Sequence, residues 1–292
     1  MTMNTTIRKL PTNVLGKDYI VGDLHGCIDL LERLLDEVQF NPERDRLFSV
    51  GDLIDRGPDS LACLQLLTKP WCYAVQGNHE SMLLNFFLPY LQNHYLDNLD
   101  DVNDTNFIWN GGDWVERYFM LDQHSMTLEF DQSLLLVADL PLMWIIGEGE
   151  QRFHVIHAEL LKHEFNYTKT QVWLDSDIDQ WLAQHIIPSE TEEGIYWSRT
   201  LMSQSSKKRL PALQAGLSFT FCGHTYAPKP RQVLSHVCVD TGAYLTIKSR
   251  SNLNGRGYGL TLFDVKNECY VSASYQRSDV LWCDFPLVRP TH

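Results

Sequence analysis

The sequence predicts an α/β fold whose polar chemistry gathers at one edge of a sheet. Strand, polar tip and helix follow one another three times in the first third of the chain. The tips at Asp23, Asp52 and Asn78 stand 29 and 26 residues apart. Each interval suits one βαβ unit, whose right-handed crossover returns the chain to the same sheet edge. From Leu134 onward short apolar runs give a β-rich second half.

Asp18 to Val21 is a strand running into Gly22-Asp23-Leu24-His25-Gly26. In the helix that follows, Leu30, Leu31, Leu34, Leu35 and Val38 recur at three- and four-residue spacing and make one apolar face. Asn41 to Arg46 is a polar connection. Leu47 to Val50 is a buried strand delivering Gly51-Asp52-Leu53-Ile54-Asp55-Arg56-Gly57. Ser60 to Leu67 reads as a second helix, and Trp71 to Val75 as a strand delivering Gly77-Asn78-His79-Glu80. A third helix starts there, with Met82, Leu83, Phe86 and Phe87 apolar. Tyr90 to Asp122 is acidic, Asn-rich and aromatic, and is expected to be a helical insertion with a loop beside the site.

Leu142 to Ile146 and Phe153 to Ile156 flank Gly147-Glu148-Gly149-Glu150, a hairpin signal, and the second of these strands ends at His157. Gln171 to His185 is expected to be helical, Pro188 to Gly194 an acidic loop and Ser203 to Arg209 a solvated surface. Ser218 to Cys222 is a strand ending at His224. Val233 to Val239 is another, ending at Asp240. Ser251 to Tyr258 is a loop, and Leu260 to Val265 with Glu268 to Ser274 forms a last hairpin. The expected organisation is a single domain over 1–292, with a core at about 18–248, an insertion at about 85–135 and the C-terminal hairpin at about 258–275.

With 292 residues, 44% of them hydrophobic, the chain can bury a large core. Its formal net charge of −13 argues against nucleic acid or an anionic membrane as partner, because phosphate backbones call for clustered Lys and Arg. Met1 to Lys17 has no apolar signal region, and the longest apolar stretch, Leu134 to Ile146, is too short to span a bilayer and is broken by Asp139 and Pro141. Seven cysteines without a C-x-x-C pair suit a reducing cytoplasm.

The strand ends collect Asp23, His25, Asp52, Asp55, Arg56, Asn78, His79, His157 and His224. A bare cluster of that kind is costly, since like charges repel and buried ones neutralise. Two divalent cations resolve it. Asp supplies hard oxygen, His supplies nitrogen, and one carboxylate bridges ions about 3.5–4 Å apart. Such a pair generates hydroxide from a bridging water and offsets phosphoryl charge, which points to phosphoester hydrolysis. His79 beside Asp55 is a candidate acid for the leaving oxygen, and Arg56 a fork for phosphate oxygens. His94, His124, His154, His163, His185 and His236 read as surface or satisfied histidines. Asp240 reads equally as a partner of a ligand histidine or as a turn carboxylate. Trp109 and Trp114 are read as core residues, with the edge of a substrate groove as the alternative.

The three tips, in this order and spacing, resemble the three-part signature of phosphoprotein phosphatases, a family of the calcineurin-like metallophosphoesterases. The likeness is greatest to small bacterial and phage serine/threonine phosphatases. His157-Ala158, Gly223-His224-Thr225, Trp109-Asn110-Gly111-Gly112 and Trp197-Ser198-Arg199 are similar to further segments of that group, so the resemblance runs from about Tyr19 to Tyr244. It implies an α+β (α/β) fold, a four-layer α/β/β/α sandwich with two facing mixed sheets. It implies that Asp23, His25 and Asp52 hold one metal, that Asp52 bridges, and that Asn78, His157 and His224 hold the second. His79 would be the general acid oriented by Asp55, with Arg56, Arg199 and Asn78 at the phosphate.

The cofactors expected are two divalent ions, Mn²⁺ first, with Fe or Zn²⁺ as alternatives. The expected function is hydrolysis of phosphoserine and phosphothreonine in proteins, with phosphotyrosine as a further substrate, a metal-bridging hydroxide attacking phosphorus. One alternative is a dinucleoside tetraphosphate hydrolase of the same superfamily. Relatives of that kind usually lack the Asp of Asp-Arg-Gly and end the third motif in Asp, so Asp55 and Glu80 favour the phosphatase. The other alternative is a non-catalytic metal-binding scaffold. Two positions depart from the pattern. Gln76 stands where many relatives carry Arg, and Glu159 where many carry Gly or Asp.

Overall fold

The computed structural model describes residues 6–93, 95, 105–162, 171–204, 210–247 and 257–289. Its larger strands are β1 (Ile7–Leu10), β2 (Asp18–Val21), β3 (Arg46–Ser49), β4 (Cys72–Ala74), β5 (Met143–Ile146), β6 (Phe153–Val155), β7 (Phe219–Cys222), β8 (Arg231–Val233), β9 (His236–Cys238), β10 (Leu260–Asp264), β11 (Cys269–Ala273) and β12 (Leu281–Asp284). Its helices are α1 (Ile28–Glu37), α2 (Ser60–Gln65), α3 (Asn78–Phe86), α4 (Leu88–Asn93), α5 (Thr105–Trp109), α6 (Leu128–Ala138), α7 (Asp175–Gln184), α8 (Ser189–Trp197) and α9 (Thr200–Gln204).

The strands make two six-stranded mixed sheets. One has the order β12-β11-β10-β2-β3-β4, with β2, β3 and β4 parallel; the other has β1-β5-β6-β7-β9-β8, with β6, β7 and β9 parallel. Period-two alternation sorts each strand's residues into different layers. On β2, Tyr19 and Val21 pack under α1 while Ile20 faces the other sheet. On β5, Met143 and Ile145 pack with α7 and α8 residues such as Ile178 and Ile195, while Trp144 and Ile146 face inward. Phe48, Phe153, Phe221 and Phe263 fill the space between the sheets. Burying each of them contributes roughly 1.5–3 kcal/mol. This is the expected four-layer α/β/β/α sandwich.

Three helices follow the expected pattern. In α1, Leu30, Leu31 and Leu34 are buried; α2 starts on Asp59, whose side chain accepts from Ala62 N–H; α3 buries Met82, Leu83 and Phe86. The 143–155 hairpin is present, with Trp144 opposite Val155.

Four expectations are corrected. The β-rich pattern begins after Leu134, which lies inside α6, because Phe130, Leu134 and Val137 pack against the helices of the first sheet. Residues 189–197 form α8 rather than an acidic loop, because Thr191 and Ile195 are buried on one face of a helix. The strand expected over 233–239 is a tight hairpin of β8 and β9, turning at Leu234 and Ser235 with φ of 45° and 65°. The last hairpin is a three-strand meander, with β12 added at its edge. The 90–122 insertion contains α4, α5 and a 3₁₀ segment at Gly112–Tyr118. Its residues 94 and 96–104 lie outside the described residues, as do 205–209, 251–256, His94 and His163.

No helix among the described residues is long and apolar enough to cross a membrane. None of the seven cysteines is in a disulfide.

Candidate metal centre

The parallel strands of both sheets open toward a common edge. Asp23 follows β2, Asp52 follows β3 and Asn78 opens α3 after β4; His157 follows β6 and His224 follows β7. The loops there are tight. His25, Asp52, Asp55, Arg56 and His224 have φ between 44° and 72°, five of the eleven non-glycine residues with positive φ among those described. Such backbone costs of order 1–3 kcal/mol per residue and persists only where its surroundings enforce it. At Asp52 the enforcing falls to Glu80. Buried in α3, its carboxylate accepts from the N–H groups of Asp52, Leu53 and Gly77, each at 2.8 Å. Gly77 is needed at its position because a Cβ there would collide with the Asp52 carboxylate.

Asp52 is the centre. Its Oδ2 lies 3.6 Å from His25 Nε2 and 3.9 Å from His79 Nε2; its Oδ1 lies 3.4 Å from His157 Nε2. Two triads of donor atoms, each within 4.8 Å of one another, share it: His25, Asp52, His79 and Asp52, His157, His224. Burial opposes ionisation of Asp52, but the positive charge that His157, His79 and His25 carry when protonated outweighs it and holds the carboxyl well below its usual range.

A carbonyl can only accept, so the ring nitrogen facing one carries the hydrogen. His25 Nδ1 donates to Ile54 O at 2.9 Å, His157 Nδ1 to Val50 O at 2.8 Å, and His224 Nε2 to Trp197 O at 3.2 Å. Each ring therefore turns a lone pair inward. Burial lowers the pKa of all three, that of His224 to about 2, so they are neutral. His157 Nε2 lies 2.8 Å from Asn78 Oδ1 and 3.2 Å from His224 Nδ1. His157 Nε2, Asn78 Oδ1 and His224 Nδ1 are buried acceptors facing one another without hydrogens between them, which is unfavourable unless a cation sits among them.

Asp23 is brought to the same rim, where its carboxylate accepts from His224 N–H at 3.1–3.2 Å. It is outside both triads. Burial and the charges of Asp240 and Asp52 raise its pKa, and burial pushes Asp240 up to about 6. Asp240 accepts from Gly242 N–H at 2.9 Å, so it is a turn carboxylate that also adds negative potential beside Asp23.

His79 is held differently. Its Nδ1 lies 2.5 Å from Asp55 Oδ2, and its buried Nε2 has no hydrogen-bond partner among the described residues. Burial works to lower its pKa, but Asp52 and Asp55 outweigh that and raise it. Arg56 Nη1 donates to His25 Nε2 at 2.8 Å, and its guanidinium lies 4.9 Å from the Tyr244 ring centroid. Arg199 Nη1 donates to His224 O at 2.5 Å.

A cation-seeking cluster at the strand ends of this sandwich has a family. Residues 19–228 match calcineurin-like phosphoesterases. The chain belongs to that family. It is a metallophosphoesterase, a hydrolase whose family uses divalent metals. This phosphoesterase is 41% identical over 153 residues to serine/threonine-protein phosphatase 1 of Salmonella typhimurium, across 52% of this chain and 62% of that protein. It is 40% identical over 145 residues to the symmetrical bis(5'-nucleosyl)-tetraphosphatase of Erwinia tasmaniensis, across 49% of this chain and 51% of that protein. A solved structure provisionally described as a diadenosine tetraphosphatase shares the fold, with a TM-score of 0.58 and 20% identity over 94% of this chain and all of that one.

Sequence reasoning missed three parts of the phosphoesterase site. Glu80 was used only to tell subfamilies apart, although its position two residues after Asn78 was a signal. Trp114, one of the two tryptophans read as core or groove edge, donates from Nε1 to Asp55 Oδ1 at 2.7 Å. Trp109 is 84% exposed and is no core residue. Tyr244 packs edge-on against His25 with centroids 5.0 Å apart. Gln76, one of the two departures from the pattern, is buried, with its Oε1 accepting from Tyr196 OH.

Proposed function

We propose that this phosphoesterase is a cytoplasmic protein phosphatase that removes phosphate from serine and threonine. The observation that carries the reading is the His79–Asp55 pair, an imidazole with one nitrogen on a carboxylate and the other unpartnered beside Asp52. The serine/threonine phosphatase relative and the Asp55 and Glu80 positions support the choice of substrate. The seven cysteines without a disulfide and the net charge of −13 support a reducing compartment and a substrate other than nucleic acid.

In this reading Asp52 would be shared between two divalent cations, Mn²⁺ ahead of Fe or Zn²⁺. Asp23 and His25 would complete one set of ligands, and Asn78, His157 and His224 the other. When bound, such ions offset phosphoryl charge and lower the pKa of a water. The chain's own groups do the rest. Arg56 and Arg199 present guanidinium forks to the phosphoryl oxygens, and Asn78 adds a further contact. His79 holds a proton at Nε2 and gives it to the leaving alkoxide, while Asp55 fixes the ring's orientation and favours its charged form. Trp114 N–H and Ser60 Oγ hold Asp55 in turn.

The second reading, dinucleoside tetraphosphate hydrolysis, is favoured by the bis(5'-nucleosyl)-tetraphosphatase relative. One experiment separates the two. Metal-stripped protein, with Mn²⁺ added back, is given a phosphoserine peptide, a phosphotyrosine peptide and diadenosine tetraphosphate side by side. Metal-restored release of phosphate from the phosphoserine peptide is the expected result. Turnover of the dinucleotide alone would transfer the assignment to the second reading.

A further inference from the structure

Glu159 lies two residues after His157, is 1% exposed, and belongs to neither triad. Its carboxylate is fully engaged by one short stretch of chain. Oε2 accepts from Ser198 Oγ at 2.6 Å and from Leu201 N–H at 3.0 Å, and Oε1 accepts from Met202 N–H at 3.0 Å. Those donors bracket Arg199, where α8 gives way to α9. A second tie joins Tyr196 OH to Gln76, the buried residue that precedes Gly77-Asn78. The far side of the same segment is tied to His224, which donates to Trp197 O and whose own carbonyl accepts from Arg199. The strap 196–202 is thus fastened to the chain segments that deliver His157, Asn78 and His224, while Arg199 itself stays exposed.

A buried carboxylate is stable as an anion only when donors surround it, and here all three come from the strap. Glu159 therefore fixes the backbone on both sides of Arg199. An arginine on a loose segment must be ordered each time it binds, which weakens binding.

We propose that Glu159 is a positioning residue for phosphate recognition. With the Gln76–Tyr196 tie it pre-organises Arg199 to grip a phosphoryl group beside His157 and His224. This rests on the reading of Arg199 as a phosphate ligand.

The test uses the full-length, Mn²⁺-loaded protein, with para-nitrophenyl phosphate as substrate and inorganic phosphate as competitive inhibitor. Arg199→Ala is expected to raise KM and the phosphate inhibition constant roughly tenfold or more, the loss of one charge-assisted contact. Glu159→Gln is expected to raise both severalfold with a much smaller change in kcat and none in metal content, and to add nothing in the Arg199→Ala background. A Glu159→Gln protein with a lowered Tm but wild-type KM and inhibition constant overturns the proposal, and so does full additivity with Arg199→Ala. If Arg199→Ala itself changes neither constant, the phosphate role of Arg199 fails, and that arm reports it separately. Should Glu159→Gln not fold, Ser198→Ala and Tyr196→Phe each remove one tie without stranding a buried charge. Both are expected to shift the constants in the same direction, and wild-type constants in both overturn the proposal.

Discussion

Four histidines surround Asp52, and they divide by what holds the ring nitrogen facing away from it. In His25, His157 and His224 that nitrogen donates to a backbone carbonyl. In His79 it meets the Asp55 carboxylate. A carbonyl fixes the tautomer without adding charge, so burial keeps these rings neutral with a lone pair turned inward. A carboxylate adds a negative charge that burial alone cannot cancel, so His79 is pushed toward its charged form. In the proposed reading one side-chain type thereby supplies three cation ligands and one proton donor within a few ångströms. The distinction rests on the outer partner rather than on the distance to Asp52.

The largest break in that arrangement is at its centre. Asp52→Asn removes the charge that both triads share. It is expected to lose bound metal and activity together, by on the order of 10³-fold or more in rate, since several kcal/mol of charge stabilisation is involved. Metal analysis of the purified variant beside its kcat checks this. A variant with full activity would sink the shared-carboxylate reading.

His79→Asn tests the other side of the comparison. If His79 is the acid and not a ligand, metal content stays while kcat falls by roughly 10²–10⁴-fold. The fall should be steepest for substrates with poor leaving groups. An equal loss across a series of aryl and alkyl phosphates would mean that the proton does not come from His79.

The two classes of histidine were only partly legible in the sequence. The proposed ligand positions follow short buried strands, and all but His157 stand beside a glycine, so their order and spacing alone brought Asp23, Asp52, Asn78, His157 and His224 to one edge. The outer partners were not legible, because Ile54 O, Val50 O and Trp197 O are backbone groups with no residue signature. Trp114 reaches Asp55 across 59 positions, and Glu159 reaches Met202 across 43. Contacts of that range are set by packing, which local pattern does not encode. The missed elements have similar causes. The β8–β9 hairpin turns on Leu234-Ser235 in place of the usual Asn-Gly. Strands β1 and β12 are sheet edges with little burial to pattern them. Helix α8 begins with an acidic, Pro-led sequence that reads as a loop until Ile195 is seen to pack in the second core.

A milder change sharpens the role of Asp55. Trp114→Phe keeps the ring but removes the N–H that bonds Asp55 Oδ1 at 2.7 Å. Losing a hydrogen bond to a charged group costs about 1.5–3 kcal/mol, of which only the part felt by His79 reaches the rate. A kcat reduced severalfold at unchanged KM and metal content is expected. Altered metal content instead would place Trp114 with the ligand histidines rather than with the acid.

The smallest effect comes from a fifth histidine that is buried and neutral without facing the site. His154 on β6 is fully buried; Arg152 Nε donates to its Nε2 at 2.9 Å, and its Nδ1 lies 3.3 Å from Thr220 Oγ1. Burial, helped by the Arg152 charge, holds its pKa down to about 3. An unfolded histidine titrates near 6.5, so between these values the unfolded chain binds a proton that the folded chain does not. The stability this neutral ring contributes is whole above pH 6.5 and is lost as pH falls toward 3, by up to about 1.36 kcal/mol per pH unit. His154→Gln cannot titrate. Urea unfolding of wild type and variant at pH 7, 6 and 5 should therefore show a stability gap in favour of the wild type that narrows as the pH drops. The histidines around Asp52 titrate alike in both proteins and cancel from the difference. A gap that stays constant across that range would mean that the folded ring takes up a proton as readily as the unfolded one, and that burial beside Arg152 does not keep it neutral.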